Sequence, residues 1–222
     1  MPLYGVERIT IEVVSAIACF ILVRYMIKPF RLTGEDKYLG LPLGFGFLGI
    51  SYAFSALSYS TIISFSNWGW VQLLVRGLAF FFLLVTYYFS KSEKKPNILW
   101  KTTLGILIVI LTILILLATI SPQIPRSDYV LYYIGVRGFG FISLCYISIH
   151  ALKNQPERTN LTTFLTPLAY ILLAINQYSS IIWVVETSYL ALFGGLAFRL
   201  AGLAIFLFVS YKSFYSSEWE SK

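Results

Sequence analysis

Long apolar runs separated by short polar stretches repeat along the whole chain. A helix needs about 20 mostly apolar residues to cross roughly 30 Å of bilayer hydrocarbon, and seven stretches have about that length. The predicted spans are Ile9–Ile27, Leu39–Ser60, Val71–Ser90, Thr103–Ile120, Val130–Ile149, Leu161–Trp183 and Leu190–Tyr211. Their connections are short, which favours antiparallel neighbours in one helical bundle.

A membrane β-barrel is the competing interpretation, because the chain is rich in Tyr, Phe and Ile. Barrel strands alternate apolar and polar residues over segments of about 10 residues. The stretch 104–117 reads LGILIVILTILILL and shows no alternation. The chain is 58% hydrophobic and 12% charged, whereas soluble domains are about 45–50% apolar and about 25% charged. The sequence therefore predicts an all-α, polytopic membrane protein in which residues 1–222 form one bundle of seven transmembrane helices.

The basic residues are unevenly distributed between the two sides of this bundle. Most of the 17 lysines and arginines lie in the connections after the first, third and fifth spans and in the C-terminal tail. On the opposite side lie Arg8 and Arg126. By the positive-inside rule, the N-terminus is predicted outside and the C-terminus in the cytoplasm, with the plasma membrane as the expected location. The net charge of +7 is thus a topology signal that attracts lipid headgroups, and no nucleic-acid partner is expected.

Three arginines lie inside predicted spans, where a charge is costly. Arg76 belongs to the third span, Arg137 to the fifth and Arg199 to the seventh. Insertion scales assign a cost of about 2.5–3.5 kcal/mol to an arginine at the centre of a transmembrane helix. We therefore expect these side chains to face the bundle interior or a wet cavity, with partners that compensate their charge.

Polar side chains near the arginines complete a candidate ligand-binding site. Gln72 lies one turn before Arg76, and Tyr133 lies one turn before Arg137, so each shares the face of its arginine. The predicted ligand-binding residues are Arg76, Arg137, Arg199, Gln72, Tyr133, Asn176 and Gln177. Because a guanidinium group binds carboxylate or phosphate through paired hydrogen bonds, the expected ligand is a small anionic or polar solute.

An internal duplication is also predicted, since the first three spans resemble the last three. Pro42 aligns with Pro167, and Arg76 aligns with Arg199 at nearly the same offset. The two copies, residues 1–90 and 128–212, start from the same side and form parallel repeats, with residues 100–121 as a linker helix in a 3+1+3 arrangement. Such repeats recur in transporters, with binding sites at the repeat interface. A scheme of three helix hairpins also fits, because the third, fifth and seventh spans all carry an arginine.

The repeat alignment places Glu12 of the first span opposite Arg137 of the fifth. We therefore predict an ion pair between Glu12 and Arg137, either direct or through water, that links the two halves. An alternative is that the three arginines serve packing alone, by pairing with Glu12, with Glu186, with backbone carbonyls and with headgroups.

The layout of seven helices with an external N-terminus is similar to that of SWEET-type sugar transporters and of microbial rhodopsins. This resemblance is one of topology. The seventh span carries Arg199 and no interior lysine that could hold a retinal Schiff base.

The sequence contains little that suggests catalysis. His150 is the single histidine, there is no CxxC pair and no P-loop, and neither a metal site nor a cofactor is expected. We therefore expect a non-enzymatic protein that binds or transports a solute. The alternatives are a non-catalytic subunit of a larger membrane complex, or a seven-helix receptor. A homo-oligomer or other membrane subunits are possible partners in either case.

Overall fold

The computed structural model describes residues 5–33, 39–59, 68–89, 126–153 and 161–214, and single residues between 102 and 116. This described part is helical and contains no strand. Its helices are α1 (Gly5–Met26), α2 (Lys28–Thr33), α3 (Gly40–Tyr59), α4 (Trp68–Phe89), α5 (Arg126–Lys153), α6 (Leu161–Glu186) and α7 (Tyr189–Phe214). The predicted fourth span lies largely outside the described residues.

Five of these helices are long and apolar enough to cross a membrane. The segments that qualify are Gly40–Tyr59, Gly69–Tyr88, Asp128–Lys153, Phe164–Glu186 and Tyr189–Ser213. Helix α1 is also long, with 22 residues, but it carries charged residues that include Glu7, Glu12 and Arg24. The protein is therefore a helical membrane protein, as the apolar pattern predicts. The count of seven spans stays a prediction.

The six long helices pack as a closed ring that follows the order of the chain. Helix α1 packs against α3, α3 against α4, α4 against α5, α5 against α6, and α6 against α7. Helix α7 then packs against α1, which closes the ring. Residues from all six helices therefore have access to a common interior.

Helices α4 and α5 run in the same direction. Near the start of α4, Gly69 lies against the Tyr129 ring, and a Cβ on Gly77 would lie 3.7 Å from Cγ1 of Val136. Further along, Tyr87 lies edge-on to His150, with ring centroids 6.0 Å apart. Contacts that advance together along both helices define a parallel pair.

Helices α1 and α7 form a second parallel pair. Glu12 contacts Arg199, and further along both helices the rings of Tyr25 and Tyr211 lie 6.5 Å apart. The other four contacting pairs are antiparallel, because their contacts advance along one helix and recede along the other. The ring therefore contains two parallel seams, α4–α5 and α7–α1, on opposite sides.

A tight turn of two residues connects α6 to α7. Thr187 adopts a φ of 53°, in the left-handed region that β-branched residues rarely occupy. The next residue, Ser188, accepts a hydrogen bond at its Oγ from the backbone N–H of Ala191 at 3.4 Å, as an N-cap does. This turn fixes α6 and α7 as antiparallel neighbours.

Candidate functional site

All three arginines of the predicted spans lie in the interior of the ring. The exposed fraction is 0% for Arg76, 4% for Arg137 and 1% for Arg199. None of them reaches the outer surface of the ring. All three side chains thus face the bundle interior, as their charge led us to expect.

Arg199 forms a buried ion pair with Glu12. Its Nη1 donates to Oε1 of Glu12 at 3.2 Å and to Oε2 at 3.1 Å. The predicted partner of Glu12 was Arg137, directly or through water, whereas the structure pairs Glu12 with Arg199. Helix α1 contacts α7 across a parallel seam, whereas α5 lies on the other side of the ring next to α4 and α6. The ion pair therefore joins the first and last helices of the ring.

Arg76 has a neutral partner in place of a carboxylate. Its Nε donates to Oγ of Ser51 on α3 at 3.0 Å, and that hydroxyl donates in turn to the backbone carbonyl of Gln72 at 3.1 Å. The predicted residue Gln72 is buried beside Arg76, and it contributes through its main chain. This hydrogen-bonded chain holds α3 against α4.

Arg137 is held by two residues that the sequence had placed in the site. Its Nη1 donates to Oε1 of Gln177 on α6 at 2.8 Å. Its guanidinium carbon lies 4.9 Å from the centroid of the Tyr133 ring, one turn earlier on α5. Tyr133, Arg137 and Gln177 therefore form one contiguous group. The fourth predicted residue in this region, Asn176, is buried on α6, and its Nδ2 finds no partner within the described part of the chain.

Tyr52 is a central residue of the site that the predicted set lacks. Its ring centroid lies 4.4 Å from the guanidinium carbon of Arg199 and 5.0 Å from that of Arg76. One buried ring therefore meets two arginines, and cation–π contacts of this kind strengthen when they are desolvated. A sequence signal existed, because Tyr52 follows Ser51 in the middle of the second predicted span, at the depth of the arginines.

A fourth arginine lies towards the N-terminal end of α1. The guanidinium carbon of Arg8 is 3.9 Å from the Tyr59 ring centroid and 4.6 Å from the Trp183 ring. These aromatic residues belong to α3 and α6, so Arg8 links three helices at that end of the ring. The sequence alone had suggested only an outward-facing charge.

The interior holds more positive than negative charge. Within the described residues, Glu12 is the buried carboxylate that faces the three guanidinium groups, and it attracts Arg199 most strongly. Arg76 and Arg137 lie on the neighbouring helices α4 and α5, where their like charges repel each other. The arrangement therefore leaves a cationic region between α4 and α5.

Several N–H groups of the arginines lack a hydrogen-bond partner among the residues that the structure describes. They are Nη1 and Nη2 of Arg76, Nε of Arg137, and Nε and Nη2 of Arg199. An unsatisfied buried polar group costs about 1–3 kcal/mol, and more when it is charged. Such donors are what an anion needs for recognition.

The described ranges contain no group of three or more His, Cys, Asp or Glu residues that could hold a metal ion. Cys19 and Cys145 are free thiols.

Comparison with known proteins gives no relative: the chain matches no protein-family model, no curated protein and no solved structure.

Proposed function

We propose that this protein binds, and moves across the membrane, a small anionic solute that is held by Arg76, Arg137 and Arg199. The observation that carries the proposal is the set of buried guanidinium N–H groups without partners, in an interior whose described carboxylate is Glu12. The two residues of a structural ion pair neutralise each other's charge, as Arg199 and Glu12 do. Arg76 and Arg137 make their hydrogen bonds to neutral groups and share the charge of Glu12 with Arg199, so that an anionic ligand would compensate their remaining charge.

The proposal includes seven spans in the plasma membrane, with the N-terminus outside. Two parallel neighbours that both cross a membrane need an odd number of crossings between them. Helices α4 and α5 are such neighbours, and the chain between them contains the predicted fourth span. The residues described between 102 and 116 are helical and exposed, among them Ile106 and Val109, as in a helix that faces lipid.

The proposal also includes a parallel repeat, because the ring has the contacts of a two-fold arrangement. Rotation by half a turn exchanges α1 with α5, α3 with α6 and α4 with α7, and it preserves every principal packing pair and its direction. Aligned close approaches support the same relation. A Cβ on Gly44 would lie 3.5 Å from the carbonyl oxygen of Ala79, and one on Gly202 would lie 3.0 Å from that of Ala169. Two such halves rocking about the site are the expected mechanism of transport.

Anion binding tests the proposal directly. Purified protein in detergent is heated with sodium salts of small carboxylates, phosphate and sulfate at constant ionic strength, and the unfolding temperature is recorded. A ligand at one hundred times its Kd stabilises the folded state by about 2.7 kcal/mol. We expect stabilisation of the natural protein, and an affinity loss of about tenfold or more in Arg76→Gln, because a charged hydrogen bond contributes about 1.5–3 kcal/mol.

The matched control is Arg31→Gln, which makes the same substitution on the exposed face of α2. This control should retain the affinity of the natural protein. Absence of stabilisation by every anion tested, or equal losses in Arg76→Gln and Arg31→Gln, would overturn the proposal. Flux of the stabilising anion into proteoliposomes then separates transport from binding alone.

A further inference from the structure

The two parallel seams of the ring place charged residues at equivalent positions. In the α7–α1 seam, Arg199 of α7 meets Glu12 of α1. The two-fold relation exchanges α7 with α4 and α1 with α5, so that the aligned residues in the other seam are Arg76 and Arg137. The α7–α1 seam thus pairs a cation with an anion. In the α4–α5 seam, the cation Arg137 takes the position that corresponds to the anion Glu12.

The α4–α5 seam is closely packed around these two arginines. Their chain neighbours Gly77 and Val136 face each other, since a Cβ on Gly77 would lie 3.7 Å from Cγ1 of Val136. One turn on, a Cβ on Gly140 would lie 2.5 Å from Cε2 of Phe80. The backbones that carry Arg76 and Arg137 therefore approach each other closely at this level of the ring.

The guanidinium N–H groups without a hydrogen-bond partner in this seam indicate which chemical group would bind between the two arginines. Arg76 uses Nε for Ser51, and its Nη1 and Nη2 meet no acceptor in the described helices. Arg137 uses Nη1 for Gln177 and keeps Nε without a partner. The two terminal nitrogens of one guanidinium group form an edge that binds both oxygens of a carboxylate.

We infer that the solute carries a carboxylate group, and that this group binds between Arg76 and Arg137 at the position that the Glu12 side chain occupies in the other half. The inference rests on the proposed function and specifies its ligand. The Glu12 carboxylate has the same role in the α7–α1 seam, where it holds α7 against α1 without any ligand. The α4–α5 seam has no carboxylate of its own at this place among the described residues, and it takes that group from the solute.

Access to this subsite requires movement of the helices. The Arg76 side chain is fully buried, so a carboxylate reaches Nη1 and Nη2 only when α4 and α5 separate. Binding of the anion then removes the repulsion between the two arginines. The energy gained on closure is a natural driving force for moving one half against the other.

The variant Arg137→Glu tests this inference, because it installs in the α4–α5 seam the carboxylate that the α7–α1 seam already has. We expect natural protein to be stabilised by sodium acetate relative to sodium chloride at equal ionic strength. Arg137→Glu should have a higher unfolding temperature than natural protein without acetate, and acetate should no longer raise it. Lys153→Glu, a charge reversal at the exposed end of the same helix, should still respond to acetate.

The other possible results separate a failure of the proposed function from a failure of this inference. If no anion stabilises natural protein, the proposed function fails together with this inference. If anions stabilise natural protein and Arg137→Glu alike, the function stands and the assignment of the subsite is wrong. If phosphate stabilises and acetate does not, the ligand group is not a carboxylate.

A second variant covers the case of poor folding. Failure of Arg137→Glu to fold counts against the inference, because the new ion pair with Arg76 should favour folding. Arg137→Gln removes one cation without adding an anion. Its half-effective acetate concentration should rise by about tenfold, as loss of one charged hydrogen bond implies. An unchanged value would exclude Arg137 from the subsite.

Discussion

At the scale of single residues, the site is governed by how each buried charge is compensated. Arg199 has a carboxylate, Arg76 has a hydroxyl and an aromatic ring, and Arg137 has an amide and an aromatic ring. A buried ion pair contributes little net stability, but removing one partner is costly because it leaves the other charge alone. Loss of Glu12 should therefore destabilise the fold, because it leaves Arg199 buried without a counter-charge.

The substitution Glu12→Gln tests this dependence. It leaves Arg199 buried without a counter-charge, and we expect a loss of about 3–5 kcal/mol in the free energy of unfolding, measured by chemical denaturation in detergent micelles. Glu7→Gln, on the exposed side of the same helix, should change stability by less than about 0.5 kcal/mol. The double variant Glu12→Gln with Arg199→Gln should recover part of the loss. Equal stability of the two single variants would show that the ion pair has no structural role.

The burial of the arginines could be predicted from sequence, because the energetic cost of a charge in hydrocarbon leaves few other locations. The partner of Glu12 could not be predicted from sequence, since Arg199 lies 187 residues further along the chain and contacts Glu12 only because the ring closes. The predicted repeat aligns Glu12 with Arg137, but aligned positions in two halves need not touch. Glu12 lies on α1 next to α7, whereas Arg137 lies on α5 between α4 and α6.

At the scale of elements, contact between helices depends on small residues at particular positions. Gly195 of α7 lies so close to α6 that an added Cβ would be 2.8 Å from Cβ of Ser179. Its neighbour Gly194 has open space around its Cα, with no atom of another residue within 4 Å of an added Cβ in the described structure. Two adjacent glycines thus serve different purposes.

These glycines provide a matched pair of variants. Gly195→Ala should destabilise the protein by about 1–3 kcal/mol, because overpacking forces α6 and α7 apart. Gly194→Ala should be neutral or stabilising by up to about 1 kcal/mol, since alanine favours helix over glycine. Unfolding temperatures of the two purified proteins provide the comparison. If both substitutions have the same effect, close packing at Gly195 is not what holds the helices together.

The apolar pattern predicted the existence and the approximate limits of α3, α4, α5, α6 and α7. It was less accurate at their ends, since α5 begins at Arg126 and ends at Lys153, beyond the predicted Val130–Ile149. Helices extend past the hydrocarbon into the headgroup region, where polar residues are tolerated and hydropathy loses its signal. The short helix α2 was not predicted, because its six residues carry no amphipathic repeat long enough to detect.

At the scale of the whole molecule, the direction of the helices determines the topology. With the proposed fourth crossing, the ends of α2 and α5 lie on the same side of the membrane, in agreement with the parallel direction of α4 and α5. Opposite sides would require α4 and α5 to be antiparallel, which the contacts between them contradict. The order of helices around the ring could not be inferred from sequence, since hydropathy gives the number of spans and says nothing about which of them touch.

Cysteine labelling in intact cells distinguishes the two topologies. In a background with Cys19→Ser and Cys145→Ser, we expect Arg31→Cys and Lys153→Cys to react with a membrane-impermeant maleimide only after the membrane is opened. Val6→Cys, at the start of α1, should react in intact cells. Labelling of Lys153→Cys from the side that labels Val6→Cys would rule out a crossing by the fourth span.

The contact between α1 and α7 has a consequence for biogenesis. Helix α1 leaves the ribosome first and α7 follows long afterwards, so Glu12 enters the bilayer well before Arg199 exists. During that interval the nascent chain holds an acidic side chain whose final counter-charge has not been translated, while Arg76 on α4 is already available. The Glu12–Arg199 contact can form only after the last helix has been translated, so closure of the ring is a late step in assembly.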